Sequence, residues 1–420
     1  MPVVGRWTGR EAAALRQTRR MSIRAYAAHL GLSTSTVLNW DRRGTLARLN
    51  TETQQLLDID LERAPEDVRI RFHAEVGVMP AQQDPVSDIT FPDAQADAEE
   101  KDPMRRRTVL ASLVTVITTP ITTPANGQLD LDKASGLVVK IRRAYQSSRY
   151  RQALTMLPPA LSALASGAHD DARATALTSE AYQVASGLLL KFGDPVLAAI
   201  AAERSITAAR ACGDPLAVAS SMRAVAHGLL AGGHAAHASR AAETAAHKLA
   251  TTIKMRSAQE FSVYGALLLR GAVAAARSEN TNAAGTLLDE ASLAARHTGP
   301  DGNARWTTFN PTNVLIHRVG VAVELGDAGA AIRLAQSIDP TAIQVPERRA
   351  MLLLDTGRAF IQWGKYERAF SAIQSAEEQA PEEVRTRRSV HLMLHDIARR
   401  SPLSMQRHVR TYIESLGASV

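Results

Sequence analysis

The sequence predicts an all-α protein: an N-terminal five-helix unit, a tether, and a long array of stacked helix pairs. Three observations carry this. Hydrophobic residues make up 45% of the chain, enough for a buried interior, while aromatics are only 4% and alanine is abundant. Alanine has the best helix propensity and lets helices approach closely, whereas sheets draw on β-branched and aromatic residues. The formal charge of +7 is concentrated in residues 1–50, where nine arginines face only Glu11 and Asp41. Finally, an alanine-centred skeleton recurs through the C-terminal two-thirds, and 420 residues exceed what one core ordinarily organises.

Taken in order, residues 9–20 read as a helix with Ala12, Leu15 and Arg16 at helical spacing. Ser22 is a natural N-cap for residues 23–30, whose apolar stripe is Ile23, Ala27 and Leu30. Gly31 ends that helix, Leu32 turns inward, and Ser33 caps a third helix over residues 34–43 that ends at Gly44. Val37 and Trp40 are its core positions. Two capped helices joined by a short turn beginning with glycine form a helix-turn-helix layout. The polar edge of the third helix offers Thr34, Ser35, Thr36 and Asn39 as base readers. Arg24, Ser33, Arg42 and Arg43 are the expected phosphate contacts, which give affinity without sequence information. Residues 51–61 and 65–76 read as two further helices, the latter with Pro65 at its first position.

The run AYAAHLGLSTSTVLNWDRRG resembles the Cro/repressor-like (XRE) helix-turn-helix family through Ala27, Gly31, Leu32, Ser33, Thr36, Val37, Trp40 and Asp41. Its ending, Arg42-Arg43-Gly44, departs from the family, which often has a small residue there. The resemblance implies a DNA-binding domain over residues 1–76 with double-stranded DNA as partner.

Residues 77–104 hold Pro80, Pro85, Pro92 and Pro103 among clustered acids and read as a flexible linker. Arg105-Arg106-Arg107 and the apolar stretch to Ile117 are read as a structural helix rather than an export signal, because they follow a complete domain.

Residues 105–420 carry the repeats. In GKYERAFSAIQSAEEQAP, the residues Gly364, Tyr366, Ala369, Ala376 and Pro381 resemble the second helix of a tetratricopeptide (TPR) repeat. The same skeleton leads with Ala153, Ala198, Ala238, Ala284 and Ala331, at spacings of 38 to 47 residues. Each interval holds two antiparallel helices, so a TPR-like right-handed α-solenoid of six pairs with a concave binding groove is expected. Residues 311–325, with Asn310 as N-cap and Pro311 first, and residues 346–363, with Pro346 first, read as opening helices of such pairs. Asn310, Asn313, His317, Arg349, Asp355 and Arg358 on these helices are the candidate effector contacts, since amide, imidazole and guanidinium groups suit a ligand's amides and carboxylates.

The motifs of metalloproteases, P-loops and dinucleotide-binding domains do not occur, and no nucleophile–base pair marks an enzyme. The single cysteine, Cys212, excludes an internal disulfide and reads as a small buried residue. His227, His234 and His237 lack acidic help at metal-ligand spacing and read as solvent-side or capping residues; no metal or cofactor is expected. The N-terminus lacks an apolar signal region and no run is long enough to span a membrane, so a cytoplasmic location is expected.

An XRE-type module joined to TPR-like repeats resembles ligand-responsive regulators of the RRNPP type, known from quorum sensing, and Arg/Ala-rich regulators of actinomycetes. That resemblance implies a repeat domain that binds a signalling peptide or small-molecule effector and mediates homodimerisation. The alternative is a TPR protein-interaction scaffold with an incidental helix-turn-helix.

Overall fold

The computed structural model describes residues 7–19, 21–47, 49–76, 113–114, 117–118, 130–165 and 171–416, in two compact units, Met1–Ala96 and Asp97–Val420. The expected linker over 77–104 and the arginines at 105–107 lie outside the described residues. Among the described residues the protein is all-helical.

The N-terminal unit consists of α1 (Gly9–Thr18), α2 (Ile23–Leu30), α3 (Thr34–Arg43), α4 (Thr51–Glu62) and α5 (Glu66–Val76). Local chemistry sets each boundary. Thr8 and Glu11 form a reciprocal capping box at α1. Ser22 and Ser33 accept from Ala25 N and Thr36 N at the starts of α2 and α3, and Asn50 caps α4. Pro65 precedes α5 by one position instead of opening it, its carbonyl accepting from Arg69 N at 3.0 Å. The core gathers Trp7, Leu15, Tyr26, Val37, Trp40, Leu57 and Phe72.

The second unit opens with α6 (Leu131–Gln146) and α7 (Tyr150–Ala165), then α8 (Ala172–Lys191) and α9 (Pro195–Cys212). The following pairs are α10 (Pro215–Ala231) with α11 (Ala235–Thr252), and α12 (Ala258–Arg277) with α13 (Thr281–Ala295). Two more pairs are α14 (Pro311–Glu324) with α15 (Ala328–Gln336), and α16 (Pro346–Gln362) with α17 (Tyr366–Gln379). The short α18 (Pro381–Thr386) leads to α19 (Arg388–Arg400) and α20 (Leu403–Ser415).

Ala153, Ala198, Ala238, Ala284, Ala331 and Ala369 each stand fourth in the second helix of a pair, and each is fully buried. A methyl group there lets the two helices of a pair approach; a longer side chain would hold them apart. Leu113 and Ile117, both helical, are fully buried in the core of the first pairs. Cys212 is only half-buried, because it closes α9 at the turn through Gly213.

Within each pair the two helices pack together, and each first helix packs on the next, in the order α6, α8, α10, α12, α14, α16. The course then returns on itself, since α16 also touches α6. Buried polar contacts tie this seam. Lys191 Nζ lies 2.7 Å from Glu347 Oε1 and also binds Glu383, to which the hydroxyl of Tyr150 donates. The first helices thus surround a cavity.

Candidate nucleic-acid interface and a cationic cavity

In the N-terminal unit, Gly31 takes a left-handed φ of +68°, which lets α2 stop and α3 start within three residues. Arg16 ties α1 to α3 through two bonds to the Asp41 carboxylate, at 3.3 and 2.7 Å, and donates to Met21 O at 2.8 Å. Asp60 on α4 anchors the other side. It accepts from Arg19 Nε at 3.0 Å and the Tyr26 hydroxyl at 3.0 Å, and lies 2.7 Å from His29 Nε2. Asp60 is buried, and burial followed by its charge pushes the Tyr26 hydroxyl far above its ordinary value.

On this frame the predicted base readers share one edge. Thr34, Ser35 and Asn39 are exposed and Thr36 is half-buried. The Ser33 hydroxyl is engaged in capping and lies 2.7 Å from both the Ser35 and Thr36 hydroxyls. Arg24, Arg42 and Arg43 are all exposed. The unit therefore presents short polar side chains at a helix N-terminus, where the dipole favours anions, flanked by arginines.

In the second unit the candidate effector residues do not gather at one place. Asn310 caps α14, accepting from Asn313 N at 2.8 Å. His317 packs half-buried on α14, its Nδ1 2.9 Å from Asn313 O. Arg349 binds Gln379 and Ile343 O. Asp355 and Arg358 pair at 3.1 Å, and Arg358 reaches Glu324, which also binds Arg277. None of the six lines the cavity.

The cavity, about 400 Å³, lies among the first helices. Its wall includes Arg142, Tyr145 and Gln146 of α6, Gln183 and Lys191 of α8, Arg223 and His227 of α10, Arg270 of α12, and Glu347 and Arg348 of α16. His227 is therefore a cavity residue rather than a solvent-side or capping one. Some of the cations are balanced: Arg142 Nε lies 3.0 Å from Glu180, and Lys191 and Arg387 share Glu347 and Glu383. The side chains of Arg223 and Arg270 make no hydrogen bond or ion pair among the described residues, and the Nε atoms of both are buried without a partner. Burial, followed by repulsion from Arg348, brings Arg223 down to about 10. Burial, followed by repulsion from Arg223 and Arg348, brings Arg270 down to about 9. Both stay charged at neutral pH. Burial, then Arg270 and Arg223, holds His227 well below its usual value and so neutral.

One edge of the cavity is a strained loop. Arg305, Trp306 and Thr308 all have positive φ, +53°, +59° and +54°. Such a conformation costs a non-glycine residue about 1–3 kcal/mol and persists only where surroundings impose it. Here Gln146 Nε2 donates to Asn303 Oδ1, Thr308 Oγ1 and Trp306 O, Arg305 binds Asp214 at 2.7 Å, and Phe309 is fully buried against Gly265. Trp306 and Thr308 are thereby set into the cavity wall.

Sequence reasoning missed Arg223 and Arg270. A signal existed: Arg223 is the sole arginine, lysine or acid of α10, and Arg270 interrupts the apolar run of α12. A lone charge amid an apolar helix face must meet either a partner or a cavity.

No family model matches the chain, and no curated protein matches it. Among the described residues no helix is long and apolar enough to cross a membrane, and no group of three or more His, Cys, Asp or Glu side chains could hold a metal ion.

Proposed function

We propose that this chain is a sequence-specific DNA-binding transcriptional regulator that acts in the cytoplasm as a homodimer. The N-terminal unit reads DNA, and the TPR-like unit senses an effector. The observation that carries this is the exposed edge of α3, Thr34, Ser35 and Asn39, held by the Ser33 cap and flanked by exposed arginines. A helix of this kind enters the major groove by its N-terminal end, with short polar groups at base edges and arginines on phosphates. Two copies would place their recognition helices about 34 Å apart on successive grooves. The confinement of excess charge to residues 1–50 supports the same reading.

The test is selection from a genomic DNA pool by the full chain at several salt concentrations. Asn39→Ala and Ser35→Ala are expected to change the selected sequence, each costing about 1–3 kcal/mol at the position it reads. Arg42→Ala is expected to weaken all sequences alike and to flatten the salt slope by about one. Unchanged sequence preference in both Asn39→Ala and Ser35→Ala removes the base-reading assignment.

A further inference from the structure

We infer that the cavity among the first helices is a binding site for a small organic phosphate, seated on Arg223, Arg270 and Arg348 beside Tyr145 and Trp306. The acids near the cavity, Glu180, Glu347 and Glu383, already serve Arg142, Lys191 and Arg387. Arg348 shares Glu347, 3.2 Å away, with Lys191 and Arg387. Arg223 and Arg270 have no acid of their own, and their buried Nε–H groups donate to nothing. Three mutually repelling guanidiniums around one space are costly unless something anionic occupies it.

Shape and donor chemistry narrow the occupant. Guanidinium forks match a phosphate in bidentate fashion, and a phosphate dianion answers several cations at once where one carboxylate answers fewer. A volume of about 400 Å³ is near the low end of small-molecule sites and too small for an extended peptide. Tyr145, Trp306 and the apolar Val184, Leu190, Ala224 and Met351 provide a face for the organic part. The strained loop that presents Trp306 and Thr308 points the same way, because the fold spends strain to hold them at this wall. The occupant would touch α6, α10, α12 and α16, on both sides of the seam, and so favour the closed circuit over any open one.

As an effector site this rests on the regulator reading. Occupancy itself is measured with no DNA present, so one can fail without the other. The full chain is melted with sodium phosphate, pyrophosphate or AMP, each against sodium chloride at matched ionic strength, and with citrate. Pyrophosphate and AMP are expected to raise Tm saturably above the salt control, and citrate to act only at higher concentration. Arg223→Gln and Arg270→Gln are each expected to melt above the wild type without ligand, since repulsion is relieved. Each should also bind pyrophosphate at least about tenfold more weakly. Arg270→Lys, which keeps the charge and loses the fork, is expected to stay folded with intermediate affinity. The inference is overturned if no phosphate exceeds the salt control, if both Gln variants keep the wild-type response, or if citrate binds most tightly. It is equally overturned if both Gln variants melt below the wild type, because the guanidiniums would then be structural.

Discussion

At the scale of single residues, helix ends in the N-terminal unit are set by side chains within one turn, while the joint between α4 and the helices before it rests on the buried Asp60 carboxylate. Ser22, Ser33 and Gly31 act on their immediate neighbours, so a short window of sequence contains cause and effect. Asp60 was invisible in the same window, because its partners Arg19, Tyr26 and His29 come from α1 and α2. That carboxylate is the counter-charge of Arg19, whose side chain is itself only 11% exposed. Asp60→Ala is therefore expected to destabilise the N-terminal unit by about 1–3 kcal/mol, since the Arg19 guanidinium loses its carboxylate and keeps only the backbone carbonyl of residue 60, and the Tyr26 hydroxyl loses its acceptor. Calorimetry of the full chain should show one transition lowered and the other unmoved; an unchanged thermogram removes Asp60 from the frame that holds α2 and α3. The candidate effector residues lie away from the cavity for a related reason. Asn310, Arg349, Asp355 and Arg358 carry suitable chemistry, but a helical stripe in sequence does not say whether it meets a neighbouring helix or an open space. Here Asn310 caps its own helix, Asp355 pairs with Arg358 within one helix, and only Arg349 and Arg358 reach a neighbour, at Gln379 and Glu324.

At the scale of elements, the register of the repeat alanines was readable because it reflects a local packing demand repeated six times. Each stands at the same turn of its helix, where its own N–H bonds the carbonyl four residues earlier at the cap. The loop before α14 obeyed no such repeat. Its strain is set by Gln146, more than 150 positions away in the chain, and by Phe309 lying on α12. Gly265 is the element-level key to that loop, since a Cβ there would sit 1.9 Å from Phe309 Cζ. Gly265→Ala is expected to cost about 1–3 kcal/mol by overpacking and to displace Phe309, and with it Trp306. Urea unfolding measures the first effect and the fluorescence of Trp306, in a background lacking the other tryptophans, the second. A variant with native midpoint and native emission would show that the ring has room elsewhere.

At the scale of the whole molecule, buried titrating groups in the repeat unit set how its stability responds to acid. Burial, followed by Arg348, brings His317 down to about 3, and His227 is held well below its usual value. Both are neutral in the folded unit yet protonate near pH 6.5 once unfolded. The unfolded chain then binds more protons, so stability falls as the pH drops through 6.5, by up to about 1.4 kcal/mol per pH unit for each histidine. Below about pH 4.5 two carboxylates join in. Burial alone would raise Glu347 and Glu383, but Arg348, Lys191 and Arg387 hold Glu347 low and Arg387 and Lys191 hold Glu383 low, and that contribution is lost as they protonate. Melting between pH 7 and 5 is expected to show a falling Tm, with a shallower fall in His317→Gln. A Tm flat across that range would mean that the imidazoles are hydrated.

The return of α16 onto α6 also bears on how such a chain can change over generations. A repeat protein with free ends gains or loses members singly, because each touches only its neighbours and an extra one merely lengthens the row. Here Tyr150 meets Glu383 across 233 positions, and a duplicated or deleted pair anywhere between them would carry the two apart. Gain or loss of a pair is therefore expected to break this seam, and changes of length are expected in turns and the outer ends of helices instead.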